Sequence, residues 1–377
     1  MIPLIITTQY EIKDVLAKGA FATVYEGELQ SGVHKTTREQ VAIKIADMSE
    51  YDEVEALLLS SGSSDLAMPR LLLHQVVNDQ VVVILELLGL SIYSTMQIRG
   101  SPLPLELVLR ATYDVTKVLQ WMHKKGYVHR DVKPDNILFG RGGNSEKAYL
   151  IDYAEAKKFK RTKGEEQVGN PYFISLNVLK GGQEGPKDDL ESLLTSMVFL
   201  LQGTLPWMKI VELDPNRLQR LVTLQKEAIS LAELCSGLPP AFATLLQHAR
   251  TVPALALPDY KMVFSELKAL AKKEGVELKR TNSAQLDPLG RQISLVSERP
   301  KGRNVSLIDT RRTSSVRALM DTSDSQPGGR KPHRHHTSGR SKKHVHSDSI
   351  PTLKTHTGPE FSLAVQRLLH KSPNLPI

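Results

Sequence analysis

An α+β chain in two lobes is what the sequence predicts, from three shifts of character along its length. Residues 8–88 are dominated by short β-branched runs, residues 89–275 by helical periodicities, and the remainder by polar, basic, aperiodic sequence. A β-rich unit followed by a helical one buries each apolar face against its neighbour and places any ligand in the cleft between them.

The opening MIPLIITTQYEI lacks a basic segment and a small-residue cleavage site, so it reads as the approach to a first strand rather than a leader. YEIKDVLA, FATVYEGEL, QVAIKIA and QVVVILELL read as strands, broken by the loop SGVHKTTREQ and by one helical stretch, Glu50 to Ser60. Beyond Gly89, apolar residues at Leu105, Val108, Leu109, Val115, Val118, Leu119 and Met122 predict a helix over Leu105 to Lys124. Leu190 to Leu201 is almost wholly apolar on a helical repeat and predicts a buried helix. Leu218 to Leu234 and Pro258 to Lys273 predict two amphipathic ones.

The charge of the chain is unevenly spread. Of the net +8, the stretch from Lys279 onward holds 18 Lys+Arg against 7 Asp+Glu, leaving 31 against 34 for residues 1–278. The body is near neutral, and nucleic-acid binding is not expected of it. One cysteine, Cys235, rules out an intrachain disulfide framework and suits a reducing compartment, cytoplasmic and/or nuclear. No apolar run approaches the roughly 18 residues of a membrane span.

Residues 280–355 are expected to be a disordered basic tail, a surface for acidic partners. Its histidines, His333, His335, His336, His344 and His346, lack the spacing of a metal site and read as part of a solvated tract. Arg311-Arg312-Thr313-Ser314 is a pattern that basophilic kinases read. Over 356–377, Phe361, Val365, Leu368 and Leu369 fall at helical spacing, either a short docking helix or stray apolar residues.

The chemistry concentrates in YVHRDVKPDN, Tyr127 to Asn136. Asp131, Lys133 and Asn136 stand at offsets that fit a base orienting a substrate hydroxyl, a cation neutralising a moving phosphoryl group, and a Mg²⁺ ligand. Lys44, in Val41-Ala42-Ile43-Lys44, alternates with apolar neighbours and is expected to reach from a buried strand to phosphate oxygens. Its carboxylate partner is expected from the next helix: Glu55, with Glu53 and Glu50 as rivals. Tyr149 to Ala154 reads as an apolar strand ending at Asp152, a second Mg²⁺ ligand. KGAFATVYEG has the outline of a phosphate-binding loop, with Ala17, Gly19 and Ala22 ahead of Val24 where three glycines are usual. An alanine costs about 1 kcal/mol where φ must be positive and little elsewhere. Weaker ATP binding is therefore expected rather than none.

Together HRDVKPDN, VAIK and the Asp152 strand end resemble the eukaryotic protein kinases, and Lys133 resembles their serine/threonine members. ELLGLSIYSTM (Glu86 to Met96), Ser175-Leu176-Asn177, KDDLES (Lys187 to Ser192) and Leu205-Pro206-Trp207 are similar to the casein kinase I enzymes. The vaccinia-related and tau-tubulin kinases share that branch, and Asp152-Tyr153 is closer to the former. The resemblance covers residues 8–275. It implies a bilobal kinase-like fold, ATP with Mg²⁺, and transfer to Ser/Thr hydroxyls of protein substrates. It further implies adenine held by backbone groups of Glu86 and Leu88, Leu85 as gatekeeper, and Asp189 as the anchor of the catalytic loop. Tyr172 stands where casein kinase I has an arginine for acidic or phosphorylated substrates, and Lys157, Lys158, Lys160, Arg161 and Lys163 form a nearby basic run. The alanines at 17, 22 and 154 leave a second reading, a catalytically weak scaffold of the same fold.

Overall fold

The computed structural model describes residues 10–18, 22–29, 40–51, 53–159 and 168–278. Expectations placed on the first nine residues, on Gly19, on Lys160, Arg161 and Lys163, and on the tail from residue 279 onward lie outside the described residues.

Five antiparallel strands form one sheet in the order β1-β2-β3-β5-β4: β1 Tyr10–Lys18, β2 Ala22–Leu29, β3 Gln40–Asp47, β4 Leu71–Val77 and β5 Gln80–Glu86. Period-two alternation on β3 sends Val41, Ile43 and Ile45 into a small core with Val82 and Ile84. Lys44 is thereby turned to the opposite face. In register on that face are Val24 and Val83, each opposite Lys44, with Ala42 opposite Leu85 and Ala17 opposite Val24.

Two departures from the sequence reading fall here. β4 was not expected, because LLLHQVV is a half-buried edge strand without clean alternation. Its hairpin with β5 turns on Asn78 and Asp79, both at positive φ (49° and 60°), the backbone that a two-residue hairpin of this twist demands. The helix expected from Glu50 starts later, as α1 Val54–Ser61. Asp47 accepts hydrogen bonds from the Ser49 backbone N–H and hydroxyl, winding Met48–Glu50 into a separate 3₁₀ turn, and Tyr51 then runs extended.

The helical lobe comprises α2 Ile92–Arg99, α3 Leu105–Lys124, α4 Pro186–Gln202, α5 Pro215–Ala228, α6 Ala241–Thr251 and α7 Tyr260–Lys273. α3 has the expected bounds, with Glu106 in its first turn and His123 and Lys124 in its last, as the helix dipole favours. α4 is buried from Pro186 to Leu200 and forms the centre of the lobe. Its start lies four residues before the expected Leu190, because Pro186 suits a first helical position and Asp188 accepts from the Gly185 N–H (2.8 Å).

The helix expected over Leu218 to Leu234 is broken. α5 stops at Ala228, and Ser230 and Glu233 cap each other's backbone to begin a new turn, Leu231–Leu234. α7 begins at Tyr260 rather than Pro258, where Asp259 accepts from the Met262 N–H. α2 and α6 were not expected. Short strands β6 Tyr127–Val128, β7 Ile137–Phe139, β8 Ala148–Leu150 and β9 Lys157–Lys158 pair as β6–β9 and β7–β8, framing the loop that carries Asp131.

Lys226 on α5 is 1% exposed, donates to the Ile174 carbonyl (2.6 Å) and lies 4.9 Å from the centre of the Trp207 ring. Burial pulls its ammonium down to about 7, against the opposing pull of Glu191. A base whose folded pKa is depressed releases its proton on folding, so between about 7 and its ordinary 10.5 stability rises with pH. Between pH 7 and pH 9 wild type is expected to gain stability over Lys226→Met, by at most about 1.4 kcal/mol per pH unit. Thermal unfolding reads this; a difference independent of pH would show that Lys226 keeps its proton throughout.

Candidate active site

Two groups of charges face each other where the sheet meets the helical lobe. In the upper group, Lys44 donates to both carboxylate oxygens of Glu55 on α1 (2.8 and 2.9 Å) and to Asp152 (3.1 Å). The Glu55 side chain is 2% exposed and that of Asp152 45%. Glu53, the rival partner, is an exposed residue at the mouth of α1. Burial alone would lower the Lys44 pKa, but Asp152 and Glu55 outweigh it and hold the ammonium above the ordinary lysine value. The same Lys44 charge, against burial, holds Asp152 down at about 2.

The lower group lies on the loop after β6. His129 uses both ring nitrogens: Nε2 donates to the Ile151 carbonyl (3.1 Å), and Nδ1 accepts from the Asp131 N–H (3.3 Å). Those partners select the neutral Nε2–H tautomer. Asp131 Oδ2 accepts from Lys133 Nζ (2.7 Å) and from Asn136 Nδ2 (2.9 Å), which also reaches the Asp131 carbonyl (2.9 Å). Burial would lower the Lys133 pKa; Asp131 reverses that and raises it.

This loop is fixed from below by Asp189 on α4, 3% exposed. One oxygen accepts from the His129 N–H (2.7 Å) and pairs with His123 Nε2 (2.9 Å); the other accepts from the Arg130 N–H (2.9 Å). His123 Nδ1 in turn meets the Tyr260 hydroxyl at 2.5 Å. Burial pushes the Asp189 pKa up, yet these hydrogen bonds bring it below the ordinary carboxylate value.

The strand expected to end at Asp152 ends at Leu150, and Ile151 to Tyr153 depart from strand geometry because Asp152 is in the left-handed region (φ 63°). The Ile151 N–H bonds to the Asn136 carbonyl (3.0 Å), so Asp152 and Asn136 leave adjacent backbone. Tyr153 fills the space beneath Glu55. Its N–H donates to Glu55 (3.3 Å), its hydroxyl to the Leu150 carbonyl (2.9 Å), and its ring meets His129 edge-on at 5.1 Å. One tyrosine thus links α1 to the Asp131 loop.

Asp152 and Asn136 present oxygen atoms that suit a divalent cation, with the ammonium groups of Lys44 and Lys133 close beside Asp152. Asp152 offers an ionised, half-exposed carboxylate, and with Nδ2 of Asn136 engaged by Asp131, its Oδ1 is the atom left for a cation. At the junction of the lobes Glu86 closes β5. Its N–H bonds to the Arg70 carbonyl (3.0 Å) and its carboxylate accepts from the Arg70 N–H (2.9 Å). Leu88 follows, half-buried, outside any regular element. Gly89 then bonds to the Phe139 carbonyl (2.7 Å), an approach so close that a Cβ at Gly89 would sit 2.9 Å from the Gly140 oxygen.

Ala17, Ala22 and Val24 lie on β1 and β2, and no alanine is among the described residues with positive φ. Backbone strain from Ala17, Ala22 or Ala154 is therefore absent. Tyr172 stands in a turn pinned by Trp207, whose indole N–H donates to the Tyr172 carbonyl (2.9 Å). His123, Tyr260, Glu184 and Lys226 were not singled out in the sequence, and no local spacing marks them.

A lysine shared by two carboxylates, opposite a loop carboxylate held by its own lysine and asparagine, is an arrangement for moving phosphoryl groups. A family model described as protein kinase domain matches residues 10–247, and the chain belongs to that family. It is a protein kinase with the α+β two-lobed fold of the class, acting on protein substrates; members of the family generally draw on ATP and Mg²⁺. No helix of the described residues is long and apolar enough to cross a membrane.

Removing Glu55 leaves the buried Lys44 ammonium with only the half-exposed Asp152 as a partner. Glu55→Ala is expected to destabilise the protein by about 3 kcal/mol, the cost of leaving half of a buried pair, as read by urea unfolding. A loss under about 1 kcal/mol would mean that the pair is effectively solvated.

Proposed function

We propose that this kinase is a serine/threonine enzyme of the casein kinase I branch, moving the γ-phosphate of ATP to Ser/Thr hydroxyls of proteins. The observation that carries the reading is the Asp131–Lys133–Asn136 cluster. Lys133 and Asn136 both engage Oδ2 of Asp131, leaving Oδ1 to accept the proton of an incoming hydroxyl. Lys133, held charged by Asp131, neutralises charge on the moving group. Lys44, steadied by Glu55, serves the α- and β-phosphates. The small apolar face of Val24 and Ala42, with backbone groups of Glu86 and Leu88, serves the adenine. Asp152 and Asn136 would hold Mg²⁺, which when bound supplies neutralisation of the phosphate oxygens. Catalysis is then mostly positioning and charge stabilisation.

The branch is supported by the casein kinase I-like stretches at 86–96, 175–177 and 187–192. The tyrosine at 172 and its anchoring by Trp207 favour substrates without a required phosphate or acidic run. The scaffold reading rested on the alanines at 17, 22 and 154, and the ordinary backbone at those positions weakens it. We assign the catalytic unit to residues 8–275 and the basic tail at 280–355 to acidic partners, in the cytoplasm and/or nucleus.

The test is phosphate incorporation into casein. Asp131→Asn is expected to lower it about 10²–10⁴-fold. Hydrolysis of the product should yield phosphoserine and phosphothreonine. Equal incorporation by variant and wild type would remove Asp131 from the chemistry, and phosphotyrosine as the main product would overturn the serine/threonine reading.

A further inference from the structure

Arg130, the residue before Asp131, is held by more than its neighbours in sequence require. Its backbone is left-handed (φ 75°), a conformation that a non-glycine residue keeps only when its surroundings impose it. Its N–H is taken by Asp189 (2.9 Å). Its side chain, 7% exposed, donates Nε to Glu184 Oε2 at 2.6 Å, with Glu155 at 3.9 Å from another guanidinium nitrogen. From above, Gly169 packs so closely on the Arg130 carbonyl that a Cβ there would come within 2.9 Å. Arg130 is therefore where the Asp131 loop, the segment that follows Asp152 and the approach to α4 all meet.

Glu184 stands on a rigid base. The next residue, Gly185, bonds through its N–H to Asp188, and a Cβ at Gly185 would overlap the Ala254 carbonyl. Burial pushes the Glu184 carboxyl up to about 7, despite Arg130, so keeping it charged there opposes stability. A position serving packing alone would be better filled by a neutral side chain. In kinases switched by phosphorylation, a phosphate added to the activation loop orders it by pairing with arginine. Here a carboxylate of the chain itself already occupies Arg130.

We propose that Glu184 is a positioning residue whose grip on Arg130 fixes Asp131 in its working place without a phosphate on the segment between Asp152 and Ser175. This rests on the reading of Asp131 as the base.

The experiment compares full-length wild type with Glu184→Ala and Glu184→Asp, each treated with phosphatase. It measures kcat, KM for ATP, and amide hydrogen exchange over residues 127–136. Phosphatase-treated wild type should keep its kcat. Glu184→Ala should lose about tenfold or more in kcat, with KM for ATP within about twofold of wild type. Exchange over 127–136 should quicken in that variant while α3 stays protected, and Glu184→Asp should recover most of both losses. Wild-type kcat and unchanged exchange in Glu184→Ala would overturn the proposal, as would a wild type silenced by phosphatase. If untreated wild type shows no turnover on any protein, the kinase reading of Asp131 fails, and the exchange data alone decide whether Glu184 holds the loop.

Discussion

The buried carboxylate of Asp189 is the constraint on which the rest of the site depends. A charge 3% exposed in the first turn of α4 is tolerable only when its oxygens are satisfied, and three donors on the Asp131 loop and α3 satisfy them. Two are backbone N–H groups of consecutive residues, His129 and Arg130. Binding both fixes the direction in which the chain leaves toward Asp131, including the left-handed turn at Arg130. The third donor, His123, is itself fixed by Tyr260 on α7. Helices distant in sequence therefore meet at one anion, and truncating it would leave several buried polar groups without partners.

Above that anchor the two lobes are joined by charge and by one aromatic ring. Lys44 belongs to the sheet, Glu55 to α1 and Asp152 to the segment after β8, and each charge sets the protonation of another. Tyr153 completes the link, touching Glu55 with its backbone and His129 with its ring. His129 closes the circuit by donating to Ile151 and accepting from Asp131. A movement of α1 would thus disturb the Lys44 pair and the Tyr153–His129 contact together.

Much of this was legible in the sequence, for physical reasons that differ by residue. β3 and α3 were readable because their periodicities are unbroken, and period two on β3 alone sends Lys44 away from the Val41–Ile43–Ile45 core. Asp131, Lys133 and Asn136 were readable because they share one short loop. β4 was missed although Asn78-Asp79 carries its turn signal, since an edge strand shows little alternation. The break after α5 was written in Ser230 and Glu233, a local cap overriding a longer apolar period. Glu184, His123 and Tyr260 had no local signal, because their partners lie 54, 66 and 137 residues away in sequence.

The anchoring role of Asp189 is tested most directly by measuring, in Asp189→Asn, the rate of phosphoryl transfer beside the affinity for Mg-ATP. Lys44, Glu55 and the β1–β2 face do not touch Asp189, so nucleotide affinity should stay within about threefold of wild type. The transfer rate should fall about 100-fold or more, because on the proposed role of Asp131 as the base its displacement misplaces the attacking hydroxyl. A variant that transfers phosphate at the wild-type rate, or that loses affinity and rate in equal measure, would contradict the placement of Asp131 by this carboxylate.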